Sequence, residues 1–430
     1  MRSLSFIPAI ALALVGCADA ETVYYNDVKS IVDAKCASCH TDGAIAPFPL
    51  ETYEQVHDAR AAIDRAVRSG EMPPWSAADD CRDYTNDRSL SEDEKGALLD
   101  WIGNDLPEGD VASAIEAPPR PSFESDVELM LPEAYTPRVE PDDQRCFVVE
   151  WPEADPVYIT GFEVIPDARS IVHHVIGYYA SGDERETYEQ LDADDPGPGY
   201  TCYGGPGTNN ADWFGAWAPG GGHNYSPEGT GVEILPGSVM ILQVHYNTSS
   251  ATPVADQSSI RLRVSDAVER PAITMPFTRF DWVTGASPMT IPAGDPDVTH
   301  SMYWDPHNYL TGVYGETLGI ASGDSVSLHS ATLHMHDLGT SGRVAIDQGS
   351  AETCLVEIED WDFQWQNRYE FTEEVELAAG DQLYLECSWD NTAENQPLRD
   401  GERRDPVDVA WGDGTSDEMC LGILYVTAMP

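Results

Sequence analysis

Up to about residue 106, apolar positions recur at the three- to four-residue spacing of amphipathic helices. The pattern predicts three helices, over residues 25–34, 52–69 and 91–102. On the second helix, Val56, Ile63 and Val67 share one face. Ser91 followed by Glu94 has the spacing of a capping box at the start of the third. The first part of the chain is therefore predicted to be a small all-α domain.

Beyond a linker rich in Pro, Ala and acidic residues, short apolar segments alternate with Gly, Pro and Asp turns at intervals of about 8–12 residues. These segments cover residues 157–164, 239–246, 258–264, 326–336, 382–388 and 421–427. The rhythm is typical of antiparallel sandwiches or jelly rolls. About 300 residues exceed one ordinary sandwich, so we expect two, with a seam near residues 267–272.

The predicted fold is multi-domain, with a small all-α domain followed by two all-β, jelly-roll-like sandwich domains. The predicted boundaries are 22–107 for the helical domain, 108–128 for the linker, 129–268 for the first sandwich and 269–430 for the second. Both sandwiches are long enough to bury a core of their own.

The chain begins with a pattern typical of a secretory signal. A short apolar run over residues 4–15 follows Arg2 and is too short to span a bilayer. Small residues before Cys17 fit a bacterial lipoprotein cleavage site, which predicts a signal with a lipobox over residues 1–17 and a lipid anchor at Cys17. An ordinary signal cut after Ala18 or Ala20 is the alternative. Either version predicts an exported bacterial protein, periplasmic or anchored to the outer membrane.

The charge balance narrows the possible partners. The chain has 75 acidic and 23 basic residues, a formal net charge of −52. Such a surface repels nucleic acid and anionic lipid, so we predict no nucleic-acid partner. A high-salt habitat fits this surface, and a genomic bias towards Arg is the alternative explanation.

The first chemical motif is the Cys-x-x-Cys-His run formed by Cys36, Cys39 and His40, the attachment signature of haem c. The two thiols bond to the haem and the histidine supplies an axial nitrogen. A redox cysteine pair or half a zinc site is the alternative, but a second cysteine pair that would complete a zinc site is absent nearby. Met72, on a Pro-stiffened loop, is the preferred sixth ligand, and His57 is its rival. The helical domain is thus predicted to be a cytochrome c.

A second constellation consists of histidines in apolar strand contexts. His173 and His174 are adjacent, His245 follows in a later strand, and His334 and His336 form a His-x-His pair. Alternate residues on a strand share a face at about 6.5–7 Å, which suits one metal ion. Neighbours face opposite sides of an ideal strand, so His173 and His174 can share an ion only at a bulge or strand end, or through different ring nitrogens.

The order of these motifs, completed by Asp417-Glu418-Met419-Cys420, resembles the copper type II, ascorbate-dependent monooxygenases, the family of the peptidylglycine α-hydroxylating and dopamine β-monooxygenases. The resemblance covers about residues 129–425. It implies two copper ions. The first would be an electron-transfer copper held by His173, His174 and His245, and the second an oxygen-binding, catalytic copper held by His334, His336 and Met419.

The resemblance also implies disulfides Cys146–Cys202 and Cys387–Cys420. Cys81 and Cys354 remain, and a bridge between them would connect the haem domain to the second sandwich; free thiols or another pairing are the alternatives.

The family's carboxylate-anchoring positions for a peptidyl-glycine substrate are here Thr332, Leu421 and Ile423, which argues against such a substrate. An apolar or aromatic one fits better.

The predicted function is that of an exported copper monooxygenase. It would hydroxylate a C–H bond of a small organic substrate with O2, and a fused haem c would supply the electrons. The expected donor is an ascorbate-like reductant or a periplasmic redox protein. A non-enzymatic copper or electron-transfer protein is the alternative. A third possibility, a haem-linked dehydrogenase, is disfavoured because the sequence has no nucleotide- or quinone-binding motif to support it.

The remaining histidines of the sandwiches are predicted to be structural or solvent-facing: His223, His300, His307 and His329.

Overall fold

The computed structural model describes residues 22–42, 46–85, 87–117, 122–219, 222–248, 251–363, 365–399, 402–412, 414 and 416–430. The predicted signal and Cys17 lie outside these residues. The described chain is multi-domain and mostly β-sandwich, with few and short helices. Among the described helices, none is both long and apolar enough to cross a membrane.

The helical pattern near the N-terminus is confirmed. A π-helical turn at Tyr24–Val28 leads into α1 (Lys29–Lys35), followed by α2 (Tyr53–Ser69) and α3 (Glu92–Gly103). Capping boxes open α2 and α3, the latter at the predicted Ser91. These helices share an apolar core separate from the β-sandwiches: Tyr24, Val28, Val32, Leu50, Val56, Val67, Leu98, Trp101 and Leu106.

The rest of the described chain is built mainly from strands. They are β1 (Val127–Met130), β2 (Asp142–Glu150), β3 (Val157–Ile165), β4 (Val172–Ala180), β5 (Tyr200–Thr201), β6 (Ala211–Trp217), β7 (His223–Tyr225), β8 (Thr230–Ile234), β9 (Val239–Asn247), β10 (Ser259–Ser265), β11 (Arg270–Phe277), β12 (Val298–Trp304), β13 (Val326–His334), β14 (Gly339–Asp347), β15 (Glu352–Ile358), β16 (Tyr369–Leu377), β17 (Gln382–Trp389), β18 (Leu398–Arg399), β19 (Glu402–Arg403) and β20 (Leu421–Ala428). Short helices interrupt them: α4 (Arg185–Asp194), α5 (Phe280–Val283), α6 (His307–Val313) and α7 (Gly315–Leu318).

Two large apolar cores divide the β region, and β11 contributes residues to both: Ala272 to the first, and Ile273, Met275 and Phe277 to the second. The strands are nevertheless joined into one extensive sheet. Strand β11 pairs antiparallel with β20 of the second half. With the first half it pairs parallel to β8 and antiparallel to β6. A separate four-stranded sheet, in the order β12-β17-β14-β15, covers the second core. The predicted seam thus falls at a strand that belongs to both halves.

Residues 75–85, which we call the strap, connect the helical unit to the second half of the β region. Ala77 forms a β-bridge with Ile358 at the end of β15, and Tyr84 forms one with Phe371 in β16. Backbone hydrogen bonds of 2.8 Å join Ala78 to the carbonyl of Glu357 and Thr85 to that of Glu370. Because β15 and β16 are edge strands of different sheets, the strap covers two open edges at once.

Three disulfides reinforce this architecture: the two that the resemblance implies, and Cys81–Cys354, which the sequence left open. Cys146–Cys202 lies in the first half, and Cys387–Cys420 ties β17 to the start of β20. Cys81–Cys354 links the strap to β15. The strap is therefore attached covalently as well as by backbone pairing.

The Cys81–Cys354 bridge closes a loop with a sequence separation of 273 residues. We expect the double variant Cys81→Ser/Cys354→Ser to lose about 2–4 kcal/mol of unfolding free energy, because the unfolded chain regains the freedom that the bridge removes. Chemical denaturation measures this change. An unfolding midpoint equal to that of the wild type would show that the strap is held by its backbone pairing alone.

Candidate metal centres

The first candidate centre lies where β4 and β9 pair. Val172 pairs with Tyr246 and His174 with His245, so His173 is an extra residue in the ladder. This irregularity is the bulge that two adjacent histidines require in order to face one point. The three rings pack within 4.7–5.6 Å of one another, centroid to centroid.

The nitrogen atoms of this trio have the spacing of ligands around one ion. Nδ1 of His174 lies 3.4 Å from Nδ1 of His173 and 3.3 Å from Nδ1 of His245. Nitrogens bound to one metal at about 2.0–2.1 Å lie roughly 3.3–3.4 Å apart in a tetrahedral arrangement. All candidate ligand atoms of the trio lie within 4.8 Å of one another. The donor set therefore fits a single metal ion.

Asp142 fixes the orientation of the most buried ring of the trio. Its Oδ1 lies 3.0 Å from Nε2 of His245 and also accepts a 2.9 Å hydrogen bond from the side-chain amide of Asn247. A proton on Nε2 leaves Nδ1 of His245 with its lone pair towards His174. Burial, reinforced by the neighbouring histidines, lowers the pKa of His174 well below its usual value. A buried neutral ring is the form that binds metal.

The second candidate centre lies at the end of β13 and the start of β20. His334 pairs with Leu421, so Met419, two residues earlier, comes beside the His-x-His pair. The rings of His334 and His336 are 5.1 Å apart. Nδ1 of His334 lies 2.6 Å from the side-chain oxygen of Gln366, and Nδ1 of His336 lies 3.1 Å from the Asp417 carbonyl. These bonds leave both Nε2 atoms as the metal-binding nitrogens.

Burial lowers the pKa of His334 to about 3 and that of His336 to about 4. For His334, the neighbouring imidazole of His336 acts in the same direction as burial. Both rings are therefore neutral at the pH of a cell or its surroundings, and neutral imidazole is the ligand form. Met419 is only 7% exposed. Two imidazoles and one thioether make a soft, mixed donor set of the kind that copper takes.

Glu418 holds this second centre together. Its carboxylate is fully buried and accepts hydrogen bonds from the backbone of His336 at 2.9 Å and of Leu338 at 2.7 Å. Trp389 donates a third, at 2.8 Å, from its indole nitrogen. Burial raises the pKa of Glu418 to about 7, although all three bonds act in the opposite direction. The carboxylate thus ties the residues after β13 to the segment that carries Met419.

Both trios face one cavity. Its lining includes His174 and His245 of the first trio and all three members of the second. Much of the remaining wall is apolar or aromatic: Ile176, Trp213, Phe214, Trp217, Phe363, Trp365, Leu421 and Ile423. Thr332, Leu421 and Ile423, the positions singled out in the sequence for lacking a carboxylate anchor, all line it. The cation on this wall, Arg368, is paired with Glu370.

The predicted haem residues lie in the helical unit. Cys36 and Cys39 are both free thiols. Nδ1 of His40 lies 2.9 Å from the carbonyl of Phe48, which leaves Nε2 for an iron atom. Unpaired thiols beside a histidine with one committed nitrogen fit a haem c attachment site.

The two candidate sixth ligands of the haem are placed differently. Met72 is 40% exposed in the loop that leads from α2 to the strap. The ring of His57 packs on Tyr53 within α2, and its Nδ1 lies 3.3 Å from Asp58. None of these contacts involves His40, so the sixth ligand stays a prediction.

The four histidines predicted to be structural or solvent-facing contact residues outside the two trios. His300 contacts the Thr290 carbonyl, His307 contacts Asp305, His329 contacts Thr427, and His223 packs against Phe123. The supporting roles of Asp142, Glu418 and Gln366 could not be predicted from the sequence. Asp142 and Glu418 stand in polar stretches that precede apolar strand segments, so no local pattern marks them as buried, bonded carboxylates.

Among known protein families, the family model that matches this chain covers the second centre. Residues 319–429, which contain His334, His336 and Met419, match the family model for the C-terminal domain of the copper type II ascorbate-dependent monooxygenases. This match supports a relationship between this chain and that monooxygenase family. DBH-like monooxygenase protein 1 from Homo sapiens is 26% identical over 294 residues, which is 63% of this chain and 41% of that protein. Its counterpart from Mus musculus is 27% identical over 269 residues, or 59% of this chain and 39% of that protein.

The chain therefore spans about two fifths of the length of these curated relatives. Among solved structures, the major capsid protein P2 from bacteriophage PM2 aligns with 71% of this chain and 98% of its own, at 8% identity and a TM-score of 0.28. A likeness this low carries no argument about fold or function.

The Asp142 contact generates a prediction for the first centre. Asp142→Asn removes the charge that orients His245, so we expect copper affinity at the His173/His174/His245 trio to fall by about 10–100-fold. Competition titration with a Cu(I) chelator measures this affinity. Asp143→Asn is the matched control, since Asp143 is also buried but bonds to Tyr135. Equal affinities in the two variants would contradict the orienting role of Asp142.

Proposed function

We propose that this protein is a copper-dependent monooxygenase that hydroxylates a C–H bond of a small organic substrate. One oxygen atom of O2 enters the substrate as an alcohol, and the other leaves as water. The balance requires two electrons and two protons, and the electrons arrive singly through a haem c attached at Cys36 and Cys39. The observation that carries this proposal is the convergence of two different ligand trios on one apolar cavity.

The two trios are suited to different tasks. His173, His174 and His245 would hold one copper through three imidazoles, a set that tolerates both oxidation states and suits electron transfer. His334, His336 and Met419 would hold the other, where the thioether favours the reduced state that reacts with O2. Bound copper supplies single-electron transfer at the first site and oxygen activation at the second.

The residues of the cavity select the substrate. Trp213, Trp217, Leu421 and Ile423 offer an apolar surface beside the second trio. Arg368 is already neutralised by Glu370, so the wall has little to offer a carboxylate. These features support a neutral, apolar or aromatic substrate. The same walls limit water around the reacting C–H bond.

The helical unit is the proposed entry point for electrons. Its CxxCH thiols and His40 fit a haem, and the strap fixes it to the β region. The haem would replace or supplement ascorbate, and a periplasmic redox protein would reduce it. The three disulfides support an exported, oxidising location. A lipid anchor at Cys17 remains a proposal about residues that the structure does not describe.

Oxygen use tests the enzymatic proposal. Met419→Ala removes the thioether from the second trio. We expect substrate-dependent O2 consumption to fall by about 100-fold or more, because the copper would lose the soft ligand that favours its reduced, oxygen-reactive state. An oxygen electrode, with ascorbate and a panel of phenethyl, amine and amide substrates, gives the rates. Met302→Ala is the control, because Met302 is 8% exposed, like Met419, in the same half of the β region.

Equal O2 consumption in Met419→Ala and the wild type would instead favour a non-enzymatic copper or electron carrier. Copper content measured on the same samples separates loss of the metal from loss of reactivity.

Haem oxidation tests the electron route separately. Protein with reduced haem and oxidised copper should show haem oxidation at least about tenfold faster than copper-free protein, because the first copper accepts the electron. Stopped-flow spectroscopy under anaerobic conditions follows the haem bands. Equal rates with and without copper would exclude the relay but leave the copper chemistry intact.

A further inference from the structure

Phe363 lies between the two trios. Its ring stacks on the ring of His173, with centroids 5.6 Å apart and planes inclined by 22°. The same ring meets His336 edge to face, at 6.0 Å and 84°. A single aromatic side chain therefore touches one candidate ligand of each metal centre.

The side chain of Phe363 is itself largely shielded from solvent. The side chain is 9% exposed, and it lines the cavity that both trios face. The two sets of imidazoles are near one another, because the same Phe363 ring packs on His173 and on His336. The gap between the trios is thus short, and a hydrocarbon ring occupies part of it.

The loop that carries Phe363, described at residues 359–363 and 365–368, is bonded to the second trio on both sides of the phenylalanine. The indole nitrogen of Trp361 donates to the carbonyl of His336 at 3.0 Å. The side-chain oxygen of Gln366 lies 2.6 Å from Nδ1 of His334. Phe363 is therefore held at a fixed place relative to the second trio while its face covers His173 of the first.

The strap holds the same loop from outside. The two β-bridges of the strap, at Ile358 and Phe371, lie just before and just after the loop. Trp75 packs edge-on against Tyr369 with centroids 5.1 Å apart. Beyond the strap, the guanidinium of Arg88 lies 5.5 Å from the ring centroid of Trp365. These contacts restrict the freedom of the loop to withdraw Phe363 from the gap.

From these contacts we propose that Phe363 is a positioning residue that sets the separation of the two metal sites and keeps water out of the space between them. The inference rests on the proposed function in so far as it takes both trios to bind copper. It adds a residue outside the ligand sets, supplied by a loop of the second half that reaches across to the first.

Such a residue has a clear chemical use. One-electron transfer from the first copper to the second depends on a constant separation, and a packed ring supplies one. Exclusion of water also limits loss of oxidising equivalents to solvent before the C–H bond reacts. Loss of the ring should therefore increase the O2 consumed per molecule of product.

Phe363→Leu keeps apolar bulk but removes the flat face. Pulsed electron paramagnetic resonance on the protein with two Cu(II) ions measures the distribution of copper–copper distances. We expect one narrow distribution in the wild type and one at least about twofold broader in Phe363→Leu, with product formed per O2 falling about threefold or more, because a site loses precision when its supporting residues are removed. Phe363→Tyr, which keeps the ring, should restore both values.

Phe147→Leu is the matched control, since Phe147 is a buried ring that packs on Tyr135 in the core of the first half. It should keep the wild-type distance distribution. Copper analysis on every sample confirms that both sites are filled. If Phe363→Leu fails to fold, Phe363→Met supplies a slimmer, flexible apolar side chain for the same measurement.

An unchanged distance distribution in Phe363→Leu would overturn the inference, and so would an equal broadening in Phe147→Leu. Failure of the proposed function looks different: two coppers would bind with a narrow distribution, but no substrate would yield an alcohol. The distance measurement decides the role of Phe363 in that case too.

Discussion

The relative position of the two metal centres depends on the backbone pairing of one strand, β20, with its two neighbours. Strand β20 forms ladders with β11 on one side and β13 on the other. Strand β11 also pairs with β8 and β6, which belong to the half that carries the first trio. The segment that contains Met419 leads directly into β20, and β13 ends at His334. Backbone hydrogen bonds therefore connect both centres through a continuous sheet, and Thr230 and Tyr425 add a 3.2 Å side-chain contact across the two halves.

Within that sheet, local irregularities and buried charges shape each centre. The bulge in β4 turns His173 and His174 towards one point, which a regular strand would prevent. At the other centre, the three hydrogen bonds to Glu418 compensate a buried carboxylate and join three chain segments. The bulge and the hydrogen bonds to Glu418 both fix the backbone that carries the ligands. The ligand side chains therefore have few alternative orientations.

Much of this organisation follows from local sequence patterns. Helical periodicity and the Ser91 cap predicted the N-terminal helices, because those signals act within one or two turns. The family resemblance, based on the order of the histidine motifs, placed six residues in two sets, and five of them, all but His173, line one cavity. Phe363, Asp142 and Gln366 gave no such signal, since their roles depend on contacts with residues distant along the chain. The continuous sheet across the predicted seam could not be predicted for the same reason. Pairing between strands of different halves produces no periodic pattern in the sequence.

The strap attaches the helical unit firmly to the β region that forms the cavity, whereas a flexible linker would leave the two units free to move. Strands β15 and β16 are edges, and an exposed edge invites pairing with another chain. The strap satisfies both edges with residues of the same polypeptide, and Cys81–Cys354 makes the arrangement permanent under oxidising conditions. Because the two bridged positions flank the loop of Phe363, the structure that attaches the helical unit also braces the wall between the metal centres. Attachment of the N-terminal unit and the geometry of the cavity are therefore parts of one mechanical arrangement.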